Sequence, residues 1–299
     1  MKILRTDDGR FENLPDFPFA PNYIDDLEGY AGQRIHYLDE GGQGGDQPTY
    51  LCLHGEPTWS YLYRRMIPEF TGSGGRVIAP DLLGFGRSDK PISDDDYGFH
   101  FHRDMLLALI ERLDLKNITL VVQDWGGILG LTLPMEMPER FSRLIIMNTV
   151  LAVGKTAGEG FANWRSYVAA NPDLPIGRIM QRSCPHLTKA EIAAYDAPWP
   201  DTTYKAGVRR FPAMVMTEPD MEGVETSKRA LKFWRDDWLG DSFMAIGMQD
   251  PVIGPALMGW MQGNIRNCPE PLRLEDAGHF VQEWGDQVAQ AAMAHFNQK

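Results

Sequence analysis

The chain has 299 residues, of which 43% are hydrophobic and 23% charged, proportions ordinary for a globular protein able to bury a sizeable core. A net charge of −12 and the lack of any basic run argue against nucleic acid and against an anionic membrane surface as partners. No window approaches the ~18 apolar residues of a membrane helix, no signal peptide follows Met1-Lys2, and three scattered cysteines (Cys52, Cys184, Cys268) suit packing in a reducing cytoplasm.

Residues 1–29 are rich in Pro, Phe and acidic side chains and predict no regular structure. Residues 34–40 alternate as a strand does, and Gly41-Gly42-Gln43-Gly44-Gly45 turns the chain. A short buried strand over 48–53 ends in His54-Gly55-Glu56-Pro57-Thr58, and a helix is expected over 59–70. Residues 76–80 form the next strand, followed by Asp81-Leu82-Leu83-Gly84-Phe85-Gly86-Arg87-Ser88, a tight structural turn, and by a helix over 102–113. Residues 117–122 are a β-branched apolar run of the kind that fills a parallel strand. Another buried strand covers 141–148, so strand and helix alternate from 49 to 149, the signature of a parallel sheet with right-handed crossovers. From 150 to 217 the chain reads as short helices broken by Pro172, Pro175, Pro185, Pro198 and Pro200. The strand pattern resumes at 241–248 and 271–274, and a last helix is expected over 282–296. The expectation is an α/β core of residues 1–149 and 218–299 with an inserted helical cap of residues 150–217.

The chain is organised around Val121-Val122-Gln123-Asp124-Trp125-Gly126-Gly127, where a strand runs straight into a helix through small residues. This matches the nucleophile elbow G-x-S-x-G, except that Val122 replaces the first glycine and Asp124 stands where serine is usual. An aspartate here also reads as a helix cap; as a nucleophile, it is an anion that needs no proton removed before it attacks. Ligands of open α/β sheets bind beyond the carboxyl ends of the strands. There the sequence delivers His54-Gly55-Glu56-Pro57, Asp124-Trp125, Gln249-Asp250 and Ala277-Gly278-His279-Phe280. Nucleophile, acid and histidine in that order are the hydrolase triad, which assigns Asp124 as nucleophile, Asp250 as acid and His279 as base. The preceding strand ends in Asn148, which can donate a hydrogen bond but carries no charge. The backbone N–H groups of Glu56 and Trp125 form the oxyanion hole.

Four stretches, His54-Gly55-Glu56-Pro57-Thr58-Trp59, Asp81 to Pro91, Gln123 to Gly127 and Asp276 to Phe280, make the chain resemble the haloalkane dehalogenases over nearly its whole length. The resemblance implies an α/β-hydrolase fold: a mostly parallel central sheet flanked by helices, with an inserted helical cap. It is closest to the subgroup whose acid follows the later strand and whose second halide ligand is a cap tryptophan. Through Gly160-Phe161-Ala162-Asn163-Trp164 it implies Trp125 and Trp164 as the halide pair, and Phe161, Pro212, Val215, Val252 and Ile253 as pocket wall. The implied reaction converts a haloalkane to a primary alcohol and halide through an ester on Asp124, which water activated by His279 then hydrolyses. Its partners are a small apolar halogenated substrate, water and halide; it needs no metal or organic cofactor, and a monomer is expected. An epoxide hydrolase shares the triad but needs two cap tyrosines, for which Tyr167, Tyr195 and Tyr204 are candidates. A fluoroacetate dehalogenase would set Arg beside the nucleophile. A silent scaffold serving as a binding protein is disfavoured because every member of the triad is present.

Overall fold

A computed structural model describes residues 1–42, 47–156 and 158–298. Eight strands form the main sheet: β1 (Asn22–Ile24), β2 (Ile35–Gly41), β3 (Thr49–Leu53), β4 (Arg76–Pro80), β5 (Ile118–Val122), β6 (Phe141–Met147), β7 (Asp241–Gly247) and β8 (Leu272–Leu274). Their spatial order is β8-β7-β6-β5-β3-β4-β2-β1. From β4 to β8 neighbouring strands are parallel, whereas β2 runs antiparallel to β4 and β1 antiparallel to β2. Helices cover both faces of the central strands, so β3 and β5 are buried at every position and are continuous apolar runs rather than alternating ones. This is the expected α/β-hydrolase fold.

The strands from 35 onward fall within one or two residues of their sequence expectations. Part of the glycine-rich turn, residues 43–45, lies outside the described residues. Differences arise where local pattern is overridden. Residues 22–24 add an edge strand to the segment expected to be irregular. The helix expected over 59–70 is instead a 3₁₀ turn, Ser60–Tyr63, followed by a separate α1 (Ile67–Gly72). Pro68 lacks an N–H and fits only the first turn of a helix, so it starts α1 late. The next helix, α2 (Phe99–Arg112), begins three residues early because the distant Glu222 carboxylate accepts the N–H groups of Phe99 and His100.

The chain reverses its direction of travel across the sheet at β3: β4 lies on one side of it and β5 on the other. The loops leaving β3 and β5 therefore diverge and leave a crevice at their carboxyl ends, the usual ligand position in such sheets. The elbow helix α3 (Asp124–Gly130) leaves directly from β5. Between β6 and β7 the chain forms α4 (Gly158–Ala170), α5 (Ile176–Ser183), α6 (Lys189–Asp196), α7 (Ala206–Met214) and α8 (Val224–Lys232) before rejoining the sheet. Helices α9 (Pro255–Gln262) and α10 (Gly285–Asn297) close the chain.

One charged cluster fastens these helices to the core. Arg64 makes a fork to Glu283, with Nη1 and Nη2 at 2.7 and 2.8 Å from its two oxygens, and Nη2 also donates to Glu191 of α6 at 2.9 Å. Arg65 bridges the same two carboxylates, and Tyr195 of α6 hydrogen-bonds Glu283. The side chains of Arg64 and Glu283 are both 0% exposed, so removing one partner strands a buried charge. Arg64→Ala should therefore destabilise the protein by about 3–5 kcal/mol. Urea unfolding with an unchanged slope and a lowered midpoint is the expected result, and a midpoint equal to the parent's would show that the cluster carries no net stability.

Candidate active site

Asp124 has a left-handed backbone, φ 49°, at the junction of β5 and α3. A non-glycine residue adopts that conformation only where its surroundings over-determine it. Here they do: the Asp124 N–H donates to the Asn148 carbonyl at 3.2 Å, and the Thr149 hydroxyl donates to the Asp124 carbonyl at 2.6 Å. Close approach of backbones leaves no room beside it. A Cβ on Gly126 would lie 2.0 Å from the Leu53 carbonyl oxygen, and one on Gly55 would lie 2.3 Å from Oδ1 of Asp124. Val122, which departs from the elbow motif, is accommodated by Gly130 one helical level on, where a Cβ would meet it at 2.8 Å. The result lifts the carboxylate clear of the sheet. Its Oδ1 accepts the Glu56 N–H at 2.8 Å, and Trp125 follows at the N-terminal end of α3, where amides lack partners within the helix.

The other two residues of the expected triad converge on it from the loops that follow β7 and β8. Nε2 of His279 lies 3.4 Å from Oδ2 of Asp124, and Nδ1 donates to Oδ2 of Asp250 at 2.7 Å. Asp250 is fixed in turn by the amides of Val252 and Ile253 on Oδ1 at 2.8 and 3.1 Å, and by the Asn148 amide on Oδ2 at 2.9 Å. Burial pushes the Asp250 carboxyl up, but His279 and these donors outweigh it and hold it below the ordinary carboxylate value. Burial likewise disfavours protonated His279, yet Asp250 and Asp124 on either side raise the ring to about 10. Asn148, set aside in the sequence for its lack of charge, thus holds the Asp250 carboxylate in place.

Beside Asp124 lies a cavity of about 950 Å³. Its wall includes Trp125, Trp164 and all five residues expected to line a pocket: Phe161, Pro212, Val215, Val252 and Ile253. Trp125 is 1% exposed, and its indole N–H is buried without a hydrogen-bond partner among the described residues. The sequence did not single out Lys155 and Arg182, which also line the cavity; their spacing along the chain carries no signal that they would meet. Of the three candidate tyrosines only Tyr167 reaches it. Tyr195 is buried against Arg64 and Glu283, so the pair that an epoxide hydrolase needs is not assembled from these residues.

The family model described as alpha/beta hydrolase fold matches residues 48–286. A haloalkane dehalogenase of Psychrobacter cryohalolentis is 43% identical over 298 residues, covering 97% of this chain and 96% of that protein. The chain belongs to the haloalkane dehalogenase family. Haloalkane dehalogenase 1 of Mycobacterium bovis is 44% identical over 288 residues, 95% of this chain and 94% of that one. The structure of the haloalkane dehalogenase DpaA from Paraglaciecola agarilytica, described as tetrameric, superposes with a TM-score of 0.96 at 52% identity, covering 98% of each chain.

In this dehalogenase the charge state of the histidine is tied to that of its neighbours. The ring's pKa is raised above the unfolded value of ~6.5, so the stability it contributes is full below that pH and is lost as pH rises through about 10. Asp124→Asn removes the anion on one side of the ring, so its pKa should fall below about 10. An NMR titration of the imidazole checks this, and an unchanged value would rule out the coupling.

Proposed function

We infer that this dehalogenase hydrolyses haloalkanes to a primary alcohol and halide, with Asp124 as nucleophile, His279 as base, Asp250 as acid, and Trp125 and Trp164 as the halide clamp. In this reading residues 150–217 are the cap over a core of residues 1–149 and 218–299. The observation that carries it is the Trp125 indole N–H, buried, partnerless among the described residues and beside a carboxylate at the elbow. A haloalkane has no carbonyl to polarise. It offers a carbon and a leaving group, and displacement requires a bare anion in a dry cavity. The departing halide needs donors that bring no negative charge, and an indole is a donor only.

In the first step a carboxylate oxygen of Asp124 bonds to carbon, and the carbon–halogen electron pair leaves with the halide. The ester carries no charge. One of the anions that held the proton on His279 is gone, so the ring's pKa falls and the ring becomes available as a base. His279 then takes a proton from water as the water oxygen attacks the ester carbonyl carbon. The Glu56 and Trp125 N–H groups stabilise the oxyanion. Collapse expels the alkoxide, which takes up the second proton of the attacking water as the carboxylate is restored, with net release of one proton and one halide.

His279→Gln should permit the first step and block the second. Intact-mass measurement after incubation with a bromoalkane should show one alkyl addition mapping to Asp124, and full turnover by this variant would remove His279 from the mechanism. Asp124→Ala should show neither addition nor halide release. Trp164→Phe should slow displacement roughly 10- to 100-fold, the effect of one charge-assisted hydrogen bond of ~1.5–3 kcal/mol. Retained bromide affinity and turnover in that variant would make Trp164 an ordinary cap aromatic.

Every group in this mechanism comes from a single chain, which is consistent with a monomer. Sedimentation of the purified protein decides between that state and the tetramer described for the P. agarilytica relative. No helix among the described residues is long and apolar enough to cross a membrane. A cytoplasmic location remains the reading of the cysteine content.

A further inference from the structure

Glu56 is a buried acid in the cavity wall whose side chain the reaction above does not use. The residue is 4% exposed, and Oε1 is shielded from solvent with no hydrogen-bond partner among the described residues. It shares the cavity wall with Asp124, Trp125, Trp164 and His279. Burial and the neighbouring Asp124 carboxylate push its carboxyl well above the ordinary value; the Trp164 indole and His279 oppose them more weakly. A carboxyl in this position has two distinct effects on the clamp. As a neutral acid it offers an O–H donor and only a weak acceptor. As a carboxylate it would bind the Trp164 N–H about twice as strongly, and it would set a second negative charge facing the departing halide.

We propose that the Glu56 side chain is a positioning residue that decides whether the Trp164 indole is available to halide: the neutral acid leaves the N–H free, and the carboxylate captures it. Protonation of one side chain then gates the clamp, separately from the titration of His279. The inference rests on the assignment of Trp125 and Trp164 as halide donors.

The test is bromide affinity, read as quenching of tryptophan fluorescence, from neutral to alkaline pH in the wild type, Glu56→Gln and His279→Gln, with folding followed by circular dichroism. The wild type and His279→Gln should each lose affinity on the alkaline side by about 10-fold or more, the effect of one charge-assisted hydrogen bond. Glu56→Gln, whose amide imitates the neutral acid, should hold one affinity across the range. An alkaline loss that persists in Glu56→Gln overturns the proposal. So does a loss that disappears in His279→Gln, which would assign it to the base, or a wild-type affinity that does not vary with pH. If Glu56→Gln does not fold, Trp164→Phe replaces it: with the captured donor gone, its affinity should be low and its alkaline loss should shrink to what the carboxylate charge alone causes, and an alkaline step as large as that of the wild type overturns the proposal. Absence of quenching at every pH in the wild type would instead sink the clamp assignment itself, and this inference with it.

Discussion

The site depends on holding one carboxylate in a conformation that its own backbone disfavours. Left to local preference, Asp124 would continue the strand or begin a regular helix, and its side chain would lie along the sheet. Three things hold it at φ 49°: the carbonyl of Asn148, the hydroxyl of Thr149, and the backbone of β3 pressed against Gly126. Strain of this kind, of order 1–3 kcal/mol, persists because the surrounding sheet is buried on both faces and does not relax locally. The Glu56 amide that steadies the resting carboxylate comes from the loop on the other side of the switch point. The reversal of the chain at β3 and the exposure of the Asp124 carboxylate are thus one constraint seen at two scales.

In the proposed mechanism, electrostatics then order the chemistry in time. His279 sits between two carboxylates, and both favour its protonated form over the cost of burial. A ring in that state cannot accept a proton from water, so in the proposed mechanism the free site is not yet a hydrolytic one. In that mechanism, consuming the charge on Asp124 changes this. The acid behind it stays ionised because its oxygens are filled by three donors from two loops. In that mechanism Asp250 fixes the tautomer throughout, while Asp124 supplies the variable charge.

Much of this was legible in the sequence because it lies where strands end. Parallel strands are continuous apolar runs, and the polar residues that follow them are already at the ligand crevice, so Asp124, Asp250 and His279 could be chosen by position alone. Residues 22–24 were not legible because an edge strand of three residues has no period to detect. Nor was the break between Ser60–Tyr63 and α1, whose cause is partly Pro68 and partly the inward turn of Arg64. The Arg64 cluster joins positions 127 and 219 residues apart, and nothing in a single sequence marks which arginine among many will meet which glutamate. Asn148 was read as a poor acid rather than as a donor to Asp250, because its partner lies 102 residues away.

The strands on either side of the long helical excursion, β6 and β7, are next to each other in the sheet. The two ends of that excursion are thus pinned together whatever lies between them. For a loop already closed at its base, changing the length costs little, since closure entropy grows only logarithmically with the number of residues. Asp124, Asp250 and His279 all stand on the far side of that base, on loops the excursion does not include. The part of the cavity wall that the excursion supplies can therefore be lengthened, shortened or recast by evolution or by an engineer, while these three residues keep their distances.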